Sequence, residues 1–423
     1  MTDTQQTDPV EISADDIDRL RRLAGQLARE AARPVHREKA SLWQDLNQLR
    51  SRRPMVWINE LPWHEMNVDD ELTPQCVGPW ARDVETGLQQ TLYQWRHLPA
   101  DMVLSDYIPS PICYHSTGVG IGEEVHILRT DPASGVVSRE FVPQIIDEKD
   151  IDKIRMPEVH AEAMKTHREF EARQRVFADI LPVRKEGIKH IWYTPWDNLI
   201  RLWGVEQAMM DLILRPEMVH AAVARFAAAC NHELDQFEAL SLLSPGHDNT
   251  RVGSGGYGYT DELPGRDFDP THVKAHNLWG CSNAQIFSSV SPEMHWEFAI
   301  QHDLPYLSRW GLNYYGCCEP LDIKMDVLRR IPRLRKVSMS PWINPPRAAS
   351  AVGQDFVFSF KPNPAPLAED RWRPAAVRED LKHILNDISG CHVEIILKDI
   401  STVRYQPQRV WEWAQIAMEL VNA

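Results

Sequence analysis

Two adjacent cysteines and a glutamate, Cys317, Cys318 and Glu319, stand together in the segment NYYGCCEPLD. Thiolate sulfur binds zinc and attacks carbon electrophiles, and a neighbouring carboxylate can ligate a metal or carry a proton. Free cysteine is also among the residues most often buried as a small apolar group. By itself, the segment leaves open a metal site, a nucleophile and buried sulfur.

Other polar and aromatic residues follow apolar runs, the positions at which parallel strands of a barrel end and reactive groups gather. They are Glu60, His64, Asp106, Tyr107, Tyr193, Trp196, His247, Trp342, Lys361, Lys398 and Asp399, to which we add Tyr257 and Tyr315 as aromatic candidates. A cleft lined by these groups would be acidic, aromatic and thiol-bearing. That combination suits a soft or borderline metal ion beside an aromatic-walled pocket.

Each of these candidates also has a plain structural role. On a strand, Cys317 and Cys318 would point to opposite faces, so at most one is expected to face the barrel interior. His247, followed by an aspartate, is as consistent with a capped turn as with a functional group. The tryptophans are equally consistent with core packing.

Short apolar runs alternate with longer amphipathic stretches along the chain, which is typical of repeated β-then-α units. The strand candidates are PMVWINEL, DMVLSDY, IKHIWYT, ALSLLSP, NLWGCS, LNYYGCC, KVSMSP, DFVFSFKP and VEIILKD. We therefore predict an α/β fold, a (β/α)₈ TIM barrel over residues 51–423, preceded by an N-terminal helical extension over residues 1–50. A doubly wound open sheet is the alternative.

The glycine-rich stretch RVGSGGYGYTDELPG does not open a convincing helix after its strand, so it is unlike a phosphate-binding loop. We predict that it is a mobile loop over the barrel mouth.

Composition excludes several classes of function. The chain of 423 residues carries 46 Lys+Arg against 60 Asp+Glu, a net charge of −14, which argues against nucleic acid and anionic lipid surfaces as partners. No apolar run reaches the ~20 residues of a membrane span. Seven cysteines and an N-terminus without a secretory pattern predict a cytoplasmic protein with reduced thiols. A homodimer is left open.

From MVLSDY to the C-terminus, several stretches in order resemble the uroporphyrinogen decarboxylase superfamily. VLSDYIPSPICYHSTG resembles the strand carrying that family's key aspartate, here Asp106, and SPEMHWEFAIQHDLPYLSRWG resembles the helix before its His-x-Cys strand. SFKPNPAPLA is similar to the family's Gly-Asn-x-x-Pro-type turn. IILKDISTVRYQPQRVWEW resembles its closing strand, which carries a His in the decarboxylase and a Cys in the methyltransferases. The superfamily includes the decarboxylase and the zinc-dependent methyltransferases of corrinoid pathways, and the resemblance implies the same barrel.

Departures from the family pattern favour the methyltransferase branch. The stretch WINELPWHEM has glutamates and no arginine where the decarboxylase grips substrate carboxylates, so it would repel a polycarboxylate. In the methyltransferases zinc is held by His-x-Cys and a distant Cys. By position, Cys318 matches the middle ligand, while Gly316 replaces the His and Asp399 the last Cys. The resemblance thus implies zinc on Cys318 and Asp399, with His247, Cys317 or Glu319 as third ligand.

The leading hypothesis is a methyltransferase that moves a methyl group between a small methylated substrate, an aryl methyl ether or methylamine, and a corrinoid (cobalamin) on a separate protein. A separate protein is required because no Asp-x-His-x-x-Gly motif occurs in this chain. Zinc would act as a Lewis acid. The candidate catalytic residues are Asp106, Glu60 and His64, and the candidate substrate-binding residues are Tyr107, Tyr193, Trp196, Tyr257, Tyr315, Trp342 and Lys361.

Two alternatives are kept. One is a metal-independent decarboxylase or lyase acting on a non-porphyrin acid, in which Lys361 or Lys398 grips a carboxylate. The other is a non-catalytic barrel that binds a corrinoid or a methylated ligand.

Overall fold

Twelve strands occur in the computed structural model, which describes residues 10–128 and 138–423. In chain order they are β1 (Met55–Ile58), β2 (Ile108–Pro111), β3 (Tyr114–Ser116), β4 (Glu124–Leu128), β5 (Ser138–Val142), β6 (Val159–Ala161), β7 (Val183–Glu186), β8 (Trp279–Ser282), β9 (Leu312–Tyr315), β10 (Leu334–Met339), β11 (Val357–Phe360) and β12 (His392–Leu397). The longest helices lie between or beside these strands, as expected of repeated β-then-α units.

The helices are α1 (Ala14–Ala31), α2 (Val35–Asn47), α3 (Trp63–Met66), α4 (Pro79–His97), α5 (Ala163–Phe177), α6 (Pro195–Trp203), α7 (Val205–Leu214), α8 (Pro216–Ala239), α9 (Pro292–His295), α10 (Gln301–Leu307), α11 (Met325–Leu328), α12 (Pro345–Val352), α13 (Ala365–Ala368), α14 (Pro374–Asp387) and α15 (Gln408–Val421). One π-helical turn, Trp296–Ile300, joins α9 to α10. Helix α1 begins where Ser13 Oγ accepts a hydrogen bond from Asp16 N at 3.1 Å, as the serine in SADDIDRL predicts.

A parallel sheet of six strands forms the centre, in the order β1-β12-β11-β10-β9-β8. Each neighbouring pair runs parallel, so the carboxyl ends of all these strands meet at one edge. The mixed α/β class with a central parallel sheet is therefore as predicted.

The sheet is strongly curled. Strands are about 4.8 Å apart, so β9 and β12, with two strands between them, would lie about 14 Å apart in a flat sheet. Yet side chains that follow these two strands approach to 3.8 Å, between Cys318 Sγ and Asp399 Oδ2. Curling brings residues from distant parts of the chain into one concave space.

In the described residues, the hydrogen bonds between strands do not connect β8 back to β1 in a closed ring. A closed (β/α)₈ barrel therefore stays a prediction. Three of the nine predicted strands, DMVLSDY, IKHIWYT and ALSLLSP, do not form ladders of the central sheet. They contribute single links instead, such as Asp101 N donating to Val56 O at 2.9 Å and a parallel bridge between Ile188 and Leu243. The strands β2 and β7 pair with each other in a separate parallel ribbon.

The N-terminal helices pack on the rest of the molecule. Leu20, Leu23 and Trp43 share a core cluster with strand residue Met55. Helices α1 and α2 thus occupy the segment predicted to be helical, whereas the boundary between an extension and a barrel domain remains a prediction.

The glycine-rich stretch is not a mobile loop over the mouth, and the prediction is wrong in this respect. Residues 252–258 are buried, and Lys336 Nζ donates to Tyr257 O at 3.2 Å. A Cβ added at Gly255 would lie 2.4 Å from Glu394 Oε1, and one at Gly256 would lie 2.4 Å from the Trp43 ring. The glycines serve close approach of the backbone to the concave face of the sheet.

A buried ion pair lies at that face. Lys336 Nζ is 2.9 Å from Glu394 Oε2, and neither side chain has any exposed surface. Glu394 Oε1 accepts a further hydrogen bond from Ser359 Oγ at 2.6 Å. Burial alone would raise the pKa of Glu394, but Lys336, Lys361 and the Ser359 hydroxyl together outweigh burial and keep that pKa below its usual value.

Within the described part of the chain, no helix is both long enough and apolar enough to span a membrane.

Substituting Gly255 by alanine should destabilise the protein by about 1–3 kcal/mol, because the new methyl group overpacks against Glu394 and Tyr314. Thermal unfolding measures the effect. The matched control is Gly87→Ala in α4, where a Cβ meets nothing within 4 Å. The control should stabilise by roughly 0.5–1 kcal/mol. Equal melting temperatures for Gly255→Ala and the unchanged protein would show that the loop is not held against the sheet.

Stability should also depend on the ionisation of Asp303. Burial raises the pKa of this carboxyl group to about 7, although Tyr193 and Ser282 hydroxyls donate to it at 3.0 and 2.7 Å. A raised folded-state pKa gives stability that is full below the unfolded pKa and is lost as pH rises through the folded value. The free energy of unfolding should therefore fall between about pH 4 and pH 7, by up to about 1.4 kcal/mol per pH unit from this group. Asp303→Asn should remove that component of the slope, and identical slopes would contradict the assignment.

Candidate active site

The two cysteines lie just beyond the end of a strand. Strand β9 ends at Tyr315, and Gly316 turns the chain with φ +99°, a left-handed conformation that favours glycine. A Cβ at this position would also meet Leu321 Cδ1 at 2.4 Å. Because Cys317 and Cys318 follow the turn, alternation of side chains along a strand does not decide which of them faces inward.

Cys317, Cys318, Lys398 and Asp399 form one cluster at the carboxyl edge of the sheet. The two sulfur atoms are 3.6 Å apart, and Cys318 Sγ is 3.8 Å from Asp399 Oδ2. Lys398 Nζ is 3.4 Å from Cys317 Sγ and 2.7 Å from Asp399 Oδ2. Cys317 is buried and Cys318 is partly exposed, so the cluster opens to solvent on the Cys318 side.

Glu60 joins the cluster from the end of β1. Its Oε2 accepts a hydrogen bond from Asp399 N at 3.2 Å and lies 3.9 Å from Lys398 Nζ, while Arg251 contacts its Oε1 at 2.9 Å. Glu60 and Asp399 have φ of +55° and +56°, conformations that cost non-glycine residues about 1–3 kcal/mol. Strain of this kind concentrates at functional sites, which supports a functional role for this edge.

Charges in the cluster favour one thiolate. The hydrogen bond from Cys318 lowers the pKa of Cys317, and the ammonium of Lys398 acts in the same direction against burial. The same hydrogen bond raises the pKa of Cys318, so its proton is retained. Burial disfavours the Lys398 ammonium, but Cys317, Glu60 and Asp399 outweigh burial and raise its pKa. When one thiol of the pair ionises, these contacts therefore favour the negative charge on Cys317.

A second lysine lies deeper in the same concave space. Lys361 Nζ contacts Tyr314 OH and donates to Ser359 Oγ at 2.7 Å. Burial lowers the pKa of Lys361 to about 7, even though Glu394 opposes the shift. Lys361 can thus carry or release a proton near neutral pH.

The donor set does not complete a zinc site. The separations of Cys318 from Cys317 and from Asp399, 3.6 and 3.8 Å, are near those of two ligands on one tetrahedral zinc. However, Lys398 lies against the same Asp399 oxygen and against Cys317. Among the described residues, no group of three His, Cys, Asp or Glu side chains is placed to hold a metal ion. In this arrangement the residues do not fit zinc.

Two of the predicted metal ligands lie outside this ion-pair cluster. Glu319 is fully buried and accepts hydrogen bonds from Cys317 N at 2.8 Å and Ala284 N at 3.2 Å, which fixes the turn that carries the cysteines. Burial raises its pKa. Burial also lowers the pKa of His247, whose Nδ1 is a buried atom without a hydrogen-bond partner.

Asp106 lies in a different setting. Its side chain is 76% exposed and lies 3.8 Å from Arg184. It lines a cleft of about 760 Å³ between the first two helices and residues 103–107, 180–186 and 244–249, and neither cysteine nor Asp399 lines that cleft. The structure therefore does not gather Asp106 with the thiols, although sequence analysis placed them in one site.

The predicted proton-transfer residue His64 contacts Glu65 at 3.7 Å. Glu65 is buried and accepts hydrogen bonds from Val403 N at 2.6 Å and Thr402 Oγ1 at 2.7 Å. This pair fastens the segment after β12 to the segment after β1, on the same edge as Asp399.

Most of the predicted aromatic wall is core. Tyr193 stacks on Tyr306 at 3.9 Å, Trp196 donates to Phe298 O, and Tyr315 OH pairs with His295 at 2.7 Å. Tyr257 is buried beside Trp43, and Tyr107 donates to Glu186 at 2.5 Å beneath Arg184. Trp342, after β10, is 70% exposed, whereas Tyr107 is only partly exposed and the other members of the set are buried.

Sequence analysis did not predict the contact of Arg251 with Glu60 or that of Lys398 with Cys317. Arg251 lies in the glycine-rich stretch that the sequence predicts to be a mobile loop. No local sequence pattern predicts its contact with Glu60, which is distant in the chain. Lys398 next to Asp399 at a strand end was the available signal for a cation beside the thiols.

No protein-family model matches this chain, and no curated protein matches it. Among solved structures, a methyltransferase from Methanosarcina mazei aligns with a TM-score of 0.48 and 10% sequence identity, covering 90% of this chain and 98% of that chain. A likeness this distant carries no inference about activity.

Replacing Lys398 by methionine should slow alkylation of Cys317 by iodoacetamide at pH 7 by about tenfold or more, because the thiolate loses its contacting ammonium. Mass spectrometry of the alkylated peptides gives the rate at each cysteine. Cys113, whose Sγ contacts the Pro111 carbonyl oxygen, provides the internal reference and should keep its rate. An unchanged rate at Cys317 would show that Lys398 does not hold the thiolate.

Proposed function

We propose that this chain is a methyltransferase in which Cys317 receives the methyl group of a small methylated substrate. The observation that carries the proposal is the contact of 3.4 Å between Cys317 Sγ and Lys398 Nζ at the strained carboxyl edge of the sheet. A thiolate is a soft nucleophile suited to a saturated carbon, and a fixed ammonium beside the sulfur favours its ionised form.

In the proposed step, the sulfur of Cys317 attacks the methyl carbon and forms a sulfur–carbon bond as the bond from carbon to oxygen or nitrogen breaks. The bonding electrons leave with the oxygen or nitrogen. An aryl ether leaves as a phenolate, which the positive charges of Lys398 and Arg251 stabilise before a proton reaches it. A quaternary methylammonium leaves as a neutral amine and needs no proton.

The Cys318 proton hydrogen-bonds the attacking sulfur, and Asp399 and Glu60 hold Lys398 in place. Cys318 is the partly exposed member, so a substrate would enter on its side. Trp342, exposed after β10, is the proposed aromatic contact for the methylated group at the mouth.

The proposed final acceptor of the methyl group is a corrinoid on a separate protein, which would supply a low-valent cobalt nucleophile when bound. In that transfer the sulfur–carbon bond would break, and Cys317 would leave as a thiolate with the bonding electrons. Zinc stays a separate prediction. Elemental analysis of protein purified without chelators tests it: one zinc per chain would support it, and active zinc-free protein would contradict it.

The test is an assay of methyl transfer from aryl methyl ethers and methylamines to a reduced corrinoid, followed by the cobalt absorption spectrum. Cys317→Ser should lower the rate by about 100-fold or more, because a hydroxyl is not ionised at neutral pH. Incubation with donor alone should add one methyl group to Cys317, visible by peptide mass. These outcomes differ from the sequence-based expectation, in which Cys318, and not Cys317, matches the middle zinc ligand of the methyltransferases.

Cys391→Ser is the matched control, since Cys391 is half-buried beside the Ala349 carbonyl oxygen and outside the cluster. It should retain full activity. The proposal would be contradicted if the unchanged protein transferred no methyl group from any of these donors, or if Cys317→Ser kept full activity.

A lyase is the second candidate, and the buried amine of Lys361 is the observation that favours it. With a pKa lowered to about 7 by burial, Lys361 can exchange a proton with a substrate at neutral pH. Release of carbon dioxide from a candidate acid, lost in Lys361→Met and retained in Cys317→Ser, would support the lyase. Tight ligand binding without turnover would instead support a binding protein.

A further inference from the structure

We propose that Cys317 and Cys318 form a reversible redox modification site, at which a hydroperoxide closes a disulfide between the two adjacent residues and a thiol reductant reopens it. The modification rests on the geometry of the two thiols and of Lys398 beside them, and not on any catalytic activity. Its effect on catalysis rests on the proposed function, because the disulfide would consume the sulfur that receives the methyl group.

Proximity of the two sulfur atoms is the first argument. They are 3.6 Å apart, and a disulfide bond is about 2.05 Å long, so the two sulfur atoms must approach each other by only about 1.5 Å. The chain is already turned at this point by Gly316, so the two side chains lie on the same side of the backbone. Other cysteine pairs in the described residues have no such contact.

The charge beside the pair is the second argument. Lys398 Nζ contacts Cys317 Sγ at 3.4 Å, and cationic surroundings select a cysteine for oxidation. The partial exposure of Cys318 gives a small peroxide access to the pair. Among the described residues, no sulfur atom of another cysteine has a hydrogen bond with a lysine or arginine side chain; the sulfur contacts of Cys113, Cys281 and Cys391 are with backbone carbonyl oxygens.

Oxidation would proceed in two balanced steps. The Cys317 thiolate attacks one peroxide oxygen, the oxygen–oxygen bond breaks, and the other oxygen leaves with a proton as water or an alcohol, which gives a sulfenic acid on Cys317. Cys318 then attacks that sulfur, the sulfur–sulfur bond forms, and water leaves. Two thiols lose two electrons in total, and the peroxide gains them.

Reversibility follows from the covalent spacing. The Cα atoms of consecutive residues joined by a trans peptide are about 3.8 Å apart. Ordinary disulfides span about 4.4–6.8 Å between Cα atoms, so the ring formed by adjacent residues is strained. Strained and accessible disulfides are the ones that thiols reduce readily, which suits a switch better than a structural crosslink.

The experiment treats the reduced full-length protein with hydrogen peroxide, blocks free thiols, and measures peptide masses. The expected product is a peptide that contains both Cys317 and Cys318, lacks two hydrogens and carries no blocking group. Dithiothreitol should restore two blockable thiols. An unmodified pair, over-oxidation of Cys317 without a disulfide, or disulfides only between molecules would overturn the proposal.

Variants separate the two steps. Cys318→Ser should leave Cys317 as a sulfenic acid that dimedone labels, whereas Cys317→Ser should give neither a disulfide nor dimedone labelling at Cys318. Cys113→Ser is the control and should form the disulfide like the unchanged protein. Dimedone labelling of Cys318 in Cys317→Ser would show that Cys318 reacts with peroxide directly, and it would overturn the proposed order in which Cys317 is oxidised first.

Peptide masses do not depend on catalysis, so the two proposals fail separately. If the disulfide forms and no methyl transfer is found in the reduced protein, only the proposed function fails. If methyl transfer occurs and peroxide leaves the pair unmodified, only the redox site fails. If oxidation abolished methyl transfer and dithiothreitol restored it, both proposals would hold and the disulfide would regulate the proposed activity.

Discussion

The buried ion pair between Lys336 and Glu394 constrains the rest of the structure. Two charges without exposed surface are tolerated only when each is paired and hydrogen-bonded, and here Ser359 and the backbone oxygen of Tyr257 complete the set. The ion pair joins β10 to β12 across the concave face. The carbonyl oxygen of Tyr257 reaches Lys336 because Gly255 and Gly256 have no side chains to keep the backbone away from the sheet. Breaking one partner would leave an uncompensated charge inside the sheet, which is strongly destabilising.

The same polar layer connects to the candidate active site. Ser359 also accepts from Lys361, and Lys361 contacts Tyr314, whose neighbouring residues lead into the turn at Gly316. Ser254 donates to the Gly316 carbonyl oxygen at 3.1 Å and lies 3.0 Å from Tyr314 OH. The turn that carries the two cysteines is thus supported from below by a continuous hydrogen-bonded network. A site held in this way can keep strained residues such as Glu60 and Asp399 in place.

A fixed ammonium has consequences that a metal ion would not have. Lys398 stabilises a thiolate through charge and a hydrogen bond, yet leaves that sulfur free to form a covalent bond with carbon or with another sulfur. The proposed methyl transfer and the proposed disulfide use this single property of Cys317. They compete for the same sulfur, which is why oxidation would regulate the proposed activity.

The sequence by itself determined the α/β class, six of the strands and the strand-end positions of Glu60, Cys318, Lys361, Lys398 and Asp399, because alternating apolar runs and amphipathic stretches are local properties. Only the tertiary structure decided which of these residues meet. Curling of the sheet brings Cys318 to Asp399 across 81 positions in the chain, and it leaves Asp106 beside Arg184 in another cleft. The prediction of a mobile glycine-rich loop is wrong for a similar reason, because glycine permits both a mobile loop and a closely packed one. Only the neighbouring side chains of Glu394, Tyr314 and Trp43, which are distant in the chain, require close packing here.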